Sequence, residues 1–260
     1  MTASPLVFIT GASSGIGQAL ALHYYHRGWR LALVARRQEA IDTWAAEQRL
    51  ETGRWASYRA DVAVIDSIVG ASQACIAAQG LPDVVIANAG ISVGIDSADR
   101  SDIDVLAESF ATNTVGMAAT FHAFVAPMAA RGSGRLVGIA SIAGIRGLPG
   151  HGAYSGSKAG AIAYCESLRG DLRGSGVRVV TLCPGYVDTP LTQGNRYAMP
   201  FMLTPSAFAE KAVAAIDSGA ALRVIPWQMS IVARVMRLLP PSWYDRLVAG
   251  RGRKKRRGEA

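Results

Sequence analysis

Short apolar runs alternate with longer amphipathic stretches through the first two-thirds of the chain. Runs rich in leucine and β-branched residues predict buried strands at LVFIT (6–10), LALVA (31–35), DVVIAN (83–88), RLVGIAS (135–141) and VRVVTLC (177–183), with a shorter strand at WASYR (55–59). The stretches between them have helical length, at 15–27, 38–50, 64–79, 102–130 and 154–173. Because parallel strands need long crossover connections, this alternation predicts a parallel sheet with helices on both faces.

The pattern predicts a single α/β domain, a doubly wound parallel sheet, over residues 1–226. A C-terminal extension of different character follows at 227–260. Its first apolar stripe comprises Ile231, Val232, Val235, Met236 and Leu239, and a second helix carries Trp243, Tyr244, Leu247 and Val248 before a basic run. Two interpretations stay open. Either the stripe packs on the protein or on a second subunit and the tail is disordered, or the extension makes a peripheral contact with a membrane.

The composition is that of a globular protein from a reducing compartment. Half of the residues are apolar and 18% are charged. Cys75, Cys165 and Cys183 lie far apart, which argues against disulfides and a zinc site, so we expect no metal. The residues after Met1 lack the basic and apolar segments of a secretory signal, and no apolar run is long enough to predict a membrane span. We therefore expect a cytoplasmic protein, at most peripheral at a membrane.

The net charge of +8 comes mainly from the C-terminus. The run RGRKKRR at 251–257 holds six of the 27 basic residues, and the chain without its last ten residues has 21 basic and 18 acidic residues. A basic tail is not a basic face, so the charge does not indicate a DNA-binding surface. We expect no nucleic-acid partner.

A glycine-rich turn, TGASSGIG, follows the first predicted strand and precedes the first predicted helix. Its glycines fall at i, i+4 and i+6, where a backbone without side chains can approach a pyrophosphate at the N-terminus of a helix. The turn therefore predicts a dinucleotide site made by Gly11, Ser13, Ser14, Gly15, Ile16 and Gly17. A turn that binds nothing is the alternative.

The second predicted strand ends at Ala35 and is followed by Arg36 and Arg37. An NAD site has an acidic residue here to hold the ribose 2′-hydroxyl, and none is present. Guanidinium groups suit a 2′-phosphate instead, so the sequence favours NADP(H) over NAD(H). The alternative is that both arginines are merely solvated at the start of a helix.

Three residues with acid–base potential follow the fifth strand. Ser141 ends this strand, while Tyr154 and Lys158 lie one turn apart on the next helix. A tyrosine, with a pKa of about 10, is a poor acid–base catalyst near neutrality. A neighbouring lysine ammonium, together with the positive nicotinamide of an oxidised cofactor, would favour the phenolate and lower that pKa. Ser141 could orient a substrate carbonyl and stabilise its developing charge. Taken alone, a Tyr–Lys pair at this spacing is common on helices.

Seven motifs together identify a family. They are TGASSGIG (10–17), DV (61–62), NAG (88–90), NTVG (113–116), Ser141, YSGSK (154–158) and PGYVDTP (184–190). Over residues 5–225 the chain resembles the short-chain dehydrogenases/reductases of the one-domain subgroup. This resemblance implies a Rossmann-like fold and a catalytic tetrad of Asn113, Ser141, Tyr154 and Lys158.

The family's pattern also implies a role for each matching residue. Tyr154 would protonate the carbonyl oxygen as hydride arrives, Lys158 would bind the nicotinamide ribose, and Asn113 would hold a water. The other implied cofactor contacts are Asp61 and Val62 at the adenine, Asn88, Ala89 and Gly90 in the cleft, and Pro184, Gly185, Val187 and Thr189 from the PGYVDTP motif. Many NADP-using relatives have an extra basic residue in the glycine turn, and this chain has Ala12-Ser13-Ser14 instead. The cofactor preference therefore depends mainly on Arg36.

The resulting expectation is an NADP(H)-dependent oxidoreductase that interconverts a ketone or aldehyde and an alcohol. An epimerase or dehydratase of the same family, or a dinucleotide sensor without catalysis, is the alternative. By resemblance, the helices at 102–130 and 154–173 pair between subunits, so a homodimer or homotetramer is expected. The segment 193–205, rich in methionine and aromatic residues, either lines an apolar substrate pocket or packs as core. A membrane contact would favour a lipid-like substrate.

Overall fold

The computed structural model describes residues 4–195, 197–250 and 252–258. A seven-stranded parallel sheet has the order β3-β2-β1-β4-β5-β6-β7. The strands are β1 (Leu6–Thr10), β2 (Arg30–Ala35), β3 (Trp55–Arg59), β4 (Val84–Ala87), β5 (Gly134–Ile139), β6 (Val177–Pro184) and β7 (Leu222–Ile225). The helices are α1 (Gly15–His26), α2 (Gln38–Glu47), α3 (Ile65–Gln79), α4 (Ser101–Phe110), α5 (Gly116–Arg131), α6 (Gly152–Asp171), α7 (Pro205–Asp217), α8 (Trp227–Leu238) and α9 (Pro241–Val248). The prediction of a doubly wound, Rossmann-like α/β fold is confirmed.

Both faces of the sheet are buried, because successive side chains of each strand point to opposite sides. Val7 and Ile9 of β1 belong to the core that includes Leu20 of α1 and Phe208 of α7. On the other face, Leu6 and Phe8 pack with Phe121 and Phe124 of α5, and the rings of Phe8 and Phe124 lie 4.9 Å apart. The strands are continuous apolar runs for this reason.

The structure corrects the predicted elements in two places. The helix expected at 102–130 is interrupted by a π-helical turn at Ala111–Val115, which separates α4 from α5 and contains Asn113. The strand β7 and the helix α7 before it were not predicted. β7 has only four residues, of which Leu222 and Arg223 are exposed. β7 extends the sheet beyond β6 through the register Cys183–Val224.

The C-terminal extension attaches through few side chains. Met229 and Ala233 of α8 are buried, whereas Ile231, Val232 and Val235 of the predicted stripe are exposed. The interpretation that these three residues pack on their own chain is therefore wrong. In α9, Tyr244 and Val248 are buried, and Trp243 and Leu247 are exposed. Arg146 holds the end of α8 by donating a hydrogen bond to the Leu239 carbonyl (2.7 Å), while its guanidinium stacks on Tyr244 at 4.1 Å.

The basic tail lies against the protein rather than being disordered. Residues 252–257, which we call the C-terminal strap, run beside the segment from Gly94 to Glu108. Its ion pairs are Arg253 with Asp96, Arg256 with Asp99 and Asp102, and Arg257 with Glu108. The Gly94 N–H also donates to the Lys255 carbonyl at 2.9 Å. The interpretation of a disordered tail is therefore wrong over these residues.

Within the described ranges, no helix is both long and apolar enough to cross a bilayer. The same ranges contain no cluster of three or more potential metal ligands. The domain boundary at 226, the cytoplasmic location and the oligomeric state stay predictions.

Candidate functional site

A cleft of about 450 Å³ opens at the carboxyl ends of the strands, where β1 and β4 lie side by side and the strand order reverses. It collects most of the predicted site residues. The predicted residues that line it are Gly11, Ser13, Ser14, Gly15, Ile16, Arg36, Arg37, Asp61, Val62, Asn88, Ala89, Gly90, Ser141, Tyr154, Lys158, Pro184, Gly185, Val187 and Thr189. Gly17 and Asn113 do not line it. Both stand immediately behind its wall.

The glycine turn brings bare backbone to the floor of the cleft. Gly11 has a φ of +66°, and a Cβ there would lie 2.8 Å from the Cα of Ala89. A Cβ on Gly17 would lie 2.2 Å from the Gly11 carbonyl oxygen, so Gly17 supports the turn from within α1. The Thr10 hydroxyl ties β1 to β4 by accepting hydrogen bonds from the N–H groups of Asn88 and Ala89, each at 3.1 Å.

The rim beyond β2 is basic and open to solvent. The guanidinium of Arg36 lies 4.0 Å from the carboxylate of Asp61, and 68% of the Arg36 side chain is exposed. Because an exposed pair at this distance is weak, Arg36 is not committed to Asp61. Arg37 stands beside it and also lines the cleft.

The opposite wall holds Ser141, Tyr154 and Lys158. The Ser141 hydroxyl accepts a hydrogen bond from the Ala143 N–H at 3.1 Å, which fixes its position at the start of a short 3₁₀ turn. The Lys158 ammonium donates to the Ile139 carbonyl at 2.7 Å and lies 6.0 Å from the centre of the Tyr154 ring. Three side chains from the end of β5 and the first turns of α6 thus face one space.

Burial dominates the ionisation of this wall. It lowers the pKa of Lys158 from its ordinary value to about 8. It also raises the pKa of the Tyr154 phenol, against the opposing effect of the Ser141 hydroxyl. The lowering of the tyrosine pKa by Lys158, expected from the sequence, is therefore not produced by the chain alone.

The Asn113 side chain forms hydrogen bonds behind the cleft wall. Its side-chain oxygen accepts from the Ile91 N–H at 2.9 Å, and its nitrogen donates to the Ile91 carbonyl and the Ser157 hydroxyl, each at 2.9 Å. Gly90 lies against this group, since a Cβ there would be 3.0 Å from the Asn113 oxygen and 3.3 Å from the Lys158 nitrogen. The π-helical turn therefore clamps the loop after β4.

Sequence reasoning missed several cleft residues. They are Val34, Ala35, Ala60, Ile91, Thr112, Ile139, Ala140, Pro190, Leu191 and Thr192. Most directly adjoin predicted residues at strand ends, which is the signal that could have found them. In the segment 193–205, Tyr197 contacts His151, whose Nε2 lies 3.2 Å from the Tyr197 hydroxyl, and neither residue lines the cleft. Phe201 and Met202 are exposed, so they are not core.

Comparison with known proteins gives a consistent result. The family model for short chain dehydrogenase matches residues 5–199. An uncharacterised oxidoreductase of Myxococcus xanthus (strain DK1622) is 38% identical over 91% of this chain and 93% of its own length. A short chain dehydrogenase/reductase from Burkholderia phymatum, solved in complex with NAD, shares the fold with a TM-score of 0.82 at 23% identity, covering 90% of this chain and 92% of that one.

A variant of actinorhodin polyketide ketoreductase, solved with NADPH, is 27% identical with a TM-score of 0.77 and covers 86% of this chain and 97% of its own. The region that the family model matches, residues 5–199, contains the glycine turn, the tyrosine–lysine pair and six of the seven strands. The motifs, the fold and the relatives agree: this chain belongs to the short-chain dehydrogenase/reductase family of NAD(P)-dependent oxidoreductases.

Proposed function

We propose that this protein is an NADP(H)-dependent oxidoreductase that interconverts a ketone or aldehyde and an alcohol by hydride transfer. The observation that supports this most is the placement of Ser141, Tyr154 and Lys158 on one wall of the cleft whose floor is the glycine turn. A sensor or scaffold would need the floor but not this wall. An epimerase or dehydratase is the runner-up, because it would use the same dinucleotide site.

The nicotinamide would supply the hydride, and the protein would supply position and a proton. Tyr154 would give its phenolic proton to the carbonyl oxygen, since burial keeps the phenol protonated. Ser141, fixed by its bond to Ala143, would orient that oxygen. Lys158 has a pKa of about 8 and could restore the proton of Tyr154 near neutral pH.

The residues present fit a phosphorylated dinucleotide. Gly11, Gly15 and Gly90 keep the floor free of side chains, as a pyrophosphate requires. Arg36 and Arg37 at the end of β2 would hold a 2′-phosphate. Asp61 is the acidic residue nearest to Arg36, and its carboxylate lies 4.0 Å away in a weak, exposed pair. The Burkholderia neighbour carries NAD and the ketoreductase carries NADPH, so the preference for NADP(H) rests on these arginines.

The direct test is oxidation of NADPH and of NADH by the purified protein across aldehydes, ketones and 3-keto compounds with apolar chains. We expect consumption with NADPH, at a rate that depends on the carbonyl compound. Binding of NADPH without consumption on the whole panel would contradict a reductase and favour the sensor. Consumption of neither cofactor, together with conversion of a hydroxyl epimer, would favour the epimerase.

We also propose that α8 and α9 bind an anionic lipid surface. Their exposed apolar side chains are Trp227, Ile231, Val232, Val235, Leu238, Trp243 and Leu247, and the exposed Arg234, Arg237 and Arg246 lie among them. Tryptophan and arginine beside an apolar face are typical of interfacial helices. Because three strap arginines pair with acidic residues of the chain itself, the arginines of α8 and α9 would supply the attraction.

Sedimentation with vesicles of anionic and of zwitterionic phospholipid tests this surface. We expect binding to the anionic vesicles only, and its loss on replacing Trp227 and Trp243 by serine. A dimer that is lost in the same variant, with no vesicle binding by the wild type, would assign the face to a second subunit. In the lipid case, a carbonyl compound with a long apolar chain is the natural substrate.

A further inference from the structure

The C-terminal strap connects two walls at the mouth of the cleft. On one side, the Gly94 N–H donates to the Lys255 carbonyl, in the loop that follows β4. On the other side, the Lys254 ammonium donates to the Leu191 carbonyl at 3.3 Å, in the segment that follows β6. Because both loops continue from strands whose ends form the cleft, the strap lies next to the space where a substrate would enter.

A second cavity, of about 280 Å³, lies beneath the strap. It is lined by Ser92, Val93, Pro190, Leu191, Gly194, Asn195 and the strap residues Lys254, Lys255, Arg256 and Arg257. Pro190 and Leu191 also line the main cleft, so one ridge separates the two spaces. A ligand that extends over this ridge would reach both.

The arginines and the lysines of the strap differ in their ionic partners. The strap arginines have carboxylate partners in Asp96, Asp99, Asp102 and Glu108. Lys254 and Lys255 have no carboxylate within ion-pair distance among residues 4–195, 197–250 and 252–258, and no acidic residue in those ranges lines the cavity. Burial lowers the pKa of Lys254 to about 8, since its ammonium is partly desolvated without a counter-ion.

We propose that Lys254 and Lys255 form an anion site at the cleft mouth, which binds a phosphate or carboxylate at the far end of the substrate. This inference rests on the proposed function, because it names the substrate class of the same cleft. The three arginines fix the strap through carboxylates, whereas the Lys254 ammonium donates one hydrogen bond to the Leu191 carbonyl and has further N–H groups for an anion. A partly desolvated ammonium gains from an ionic partner, which offsets the cost of its burial.

The position of the strap also depends on the absence of a side chain at Gly94. A Cβ at position 94 would lie 2.1 Å from the Lys254 carbonyl oxygen, so any side chain there must displace the strap. This provides two independent ways to remove the site. Lys254→Gln with Lys255→Gln removes the charges and keeps the strap, whereas Gly94→Val keeps the charges and moves the strap.

The test is calorimetric binding of hexyl phosphate and of its uncharged counterpart 1-hexanol to the full chain, with and without NADPH. We expect hexyl phosphate to bind the wild type and both altered proteins to lose about tenfold in affinity, as expected for one charge-assisted contact. The control variant Lys211→Gln, which removes an exposed lysine of α7, should stay within twofold. Hexanol binding should not change in the double glutamine variant.

Equal losses for hexyl phosphate and hexanol would overturn the proposal, because the lysines would then act by packing. A weaker affinity for NADPH with unchanged hexyl phosphate binding would also overturn it and assign the lysines to a cofactor phosphate. Both readouts measure binding rather than turnover, so a failure of the proposed reductase activity would not be mistaken for a failure of the anion site.

Discussion

The floor of the cleft and the C-terminal strap are held in place by different forces. At the floor, Gly11 and Gly17 allow backbone atoms to approach so closely that any added Cβ would overlap a neighbouring chain segment. The strap is held by four arginine–carboxylate contacts, most of them between partly exposed side chains. The floor depends on close packing alone, whereas the strap adds these ion pairs to its backbone contact with Gly94.

This difference determines how each region responds to change. Close packing is insensitive to salt and does not tolerate an added methyl group. Surface ion pairs tolerate many substitutions but weaken as ionic strength rises. The floor should therefore fail through steric substitutions, and the strap should open through screening or loss of a carboxylate.

The largest effect should come from the wall above the floor. Tyr154→Phe removes the proposed proton donor, and we expect kcat to fall about a thousandfold while NADPH affinity stays nearly constant. Tyr164→Phe on the same helix is the matched control, because Tyr164 stacks on Phe121 away from the cleft. Steady-state rates and calorimetric NADPH binding measure both. A rate within tenfold of the wild type would remove Tyr154 from the mechanism.

The next effect concerns the floor itself. The Cβ that Gly17→Ala adds would lie 2.2 Å from the Gly11 carbonyl oxygen, so the backbone must move apart. We therefore expect the free energy of unfolding to fall by about 3 kcal/mol. Gly70→Ala in α3 has open space around the added Cβ and should raise it by up to about 1 kcal/mol. Urea unfolding of the pair provides the measurement. Equal stabilities would show that the turn relaxes at no cost.

A smaller effect is expected for the strap. Asp102→Asn removes the charge opposite Arg256, while the carboxamide oxygen can still accept from the Asp96 N–H. Trypsin should cleave after residues 253–257 about tenfold faster in this variant, and in wild type at high salt. Asp104→Asn is the control, because the Asp104 carboxylate is exposed and pairs with Arg100 rather than with the strap residues 252–257. A cleavage rate that does not change with salt concentration would show that ion pairs do not hold the strap in place.

The acidic anchors also fix the pH range of the strap. Hydrogen bonds from Ser101 and Arg256 lower the pKa of Asp99 to about 2, and the Asp96 N–H and Arg256 lower that of Asp102. Because these folded-state values lie below the ordinary value near 4, the stabilisation is complete above that pH and is lost as the pH falls through them. Cleavage by trypsin, corrected for its activity on a free peptide, should therefore not vary between about pH 5 and pH 7, a range that lies above these carboxyl pKa values and below the pKa of about 8 of Lys254.

The smallest effect is expected at the open rim. Arg36→Asp should shift the ratio of kcat/KM for NADPH over NADH by about tenfold toward NADH, since one exposed charge-assisted contact is exchanged. Arg59→Asp at the end of β3 is a control, because Arg59 is exposed but does not line the cleft. An unchanged ratio would mean that other groups select the cofactor.

The difference between the cleft floor and the strap also explains which features the sequence could predict. The strands β1 to β6 and the cleft residues that follow them were predictable, because apolar period and glycine spacing are local patterns. Asn113 was placed by its motif, but its role in clamping Ile91 depends on a π-helical turn that no local pattern indicated. β7 was missed because its first half is exposed.

The strap was beyond sequence reasoning for a physical reason. An arginine pairs with any accessible carboxylate, so the run at 251–257 does not specify Asp99 or Asp102, which lie more than 150 residues earlier. The apolar stripe on α8 could not be assigned from the sequence for a related reason. An apolar helix face predicts burial, but it does not specify the surface that covers it. Here Met229 and Ala233 meet the protein and Ile231 does not.

The position of the strap has a practical consequence for handling the protein. Lys254 and Lys255 line the space next to the ridge formed by Pro190 and Leu191, so phosphate or sulfate from a buffer would compete for the proposed anion site beside the cleft. A high salt concentration would also weaken the ion pairs that hold the strap. Material for kinetics should therefore be kept at low ionic strength in a buffer that contains neither anion.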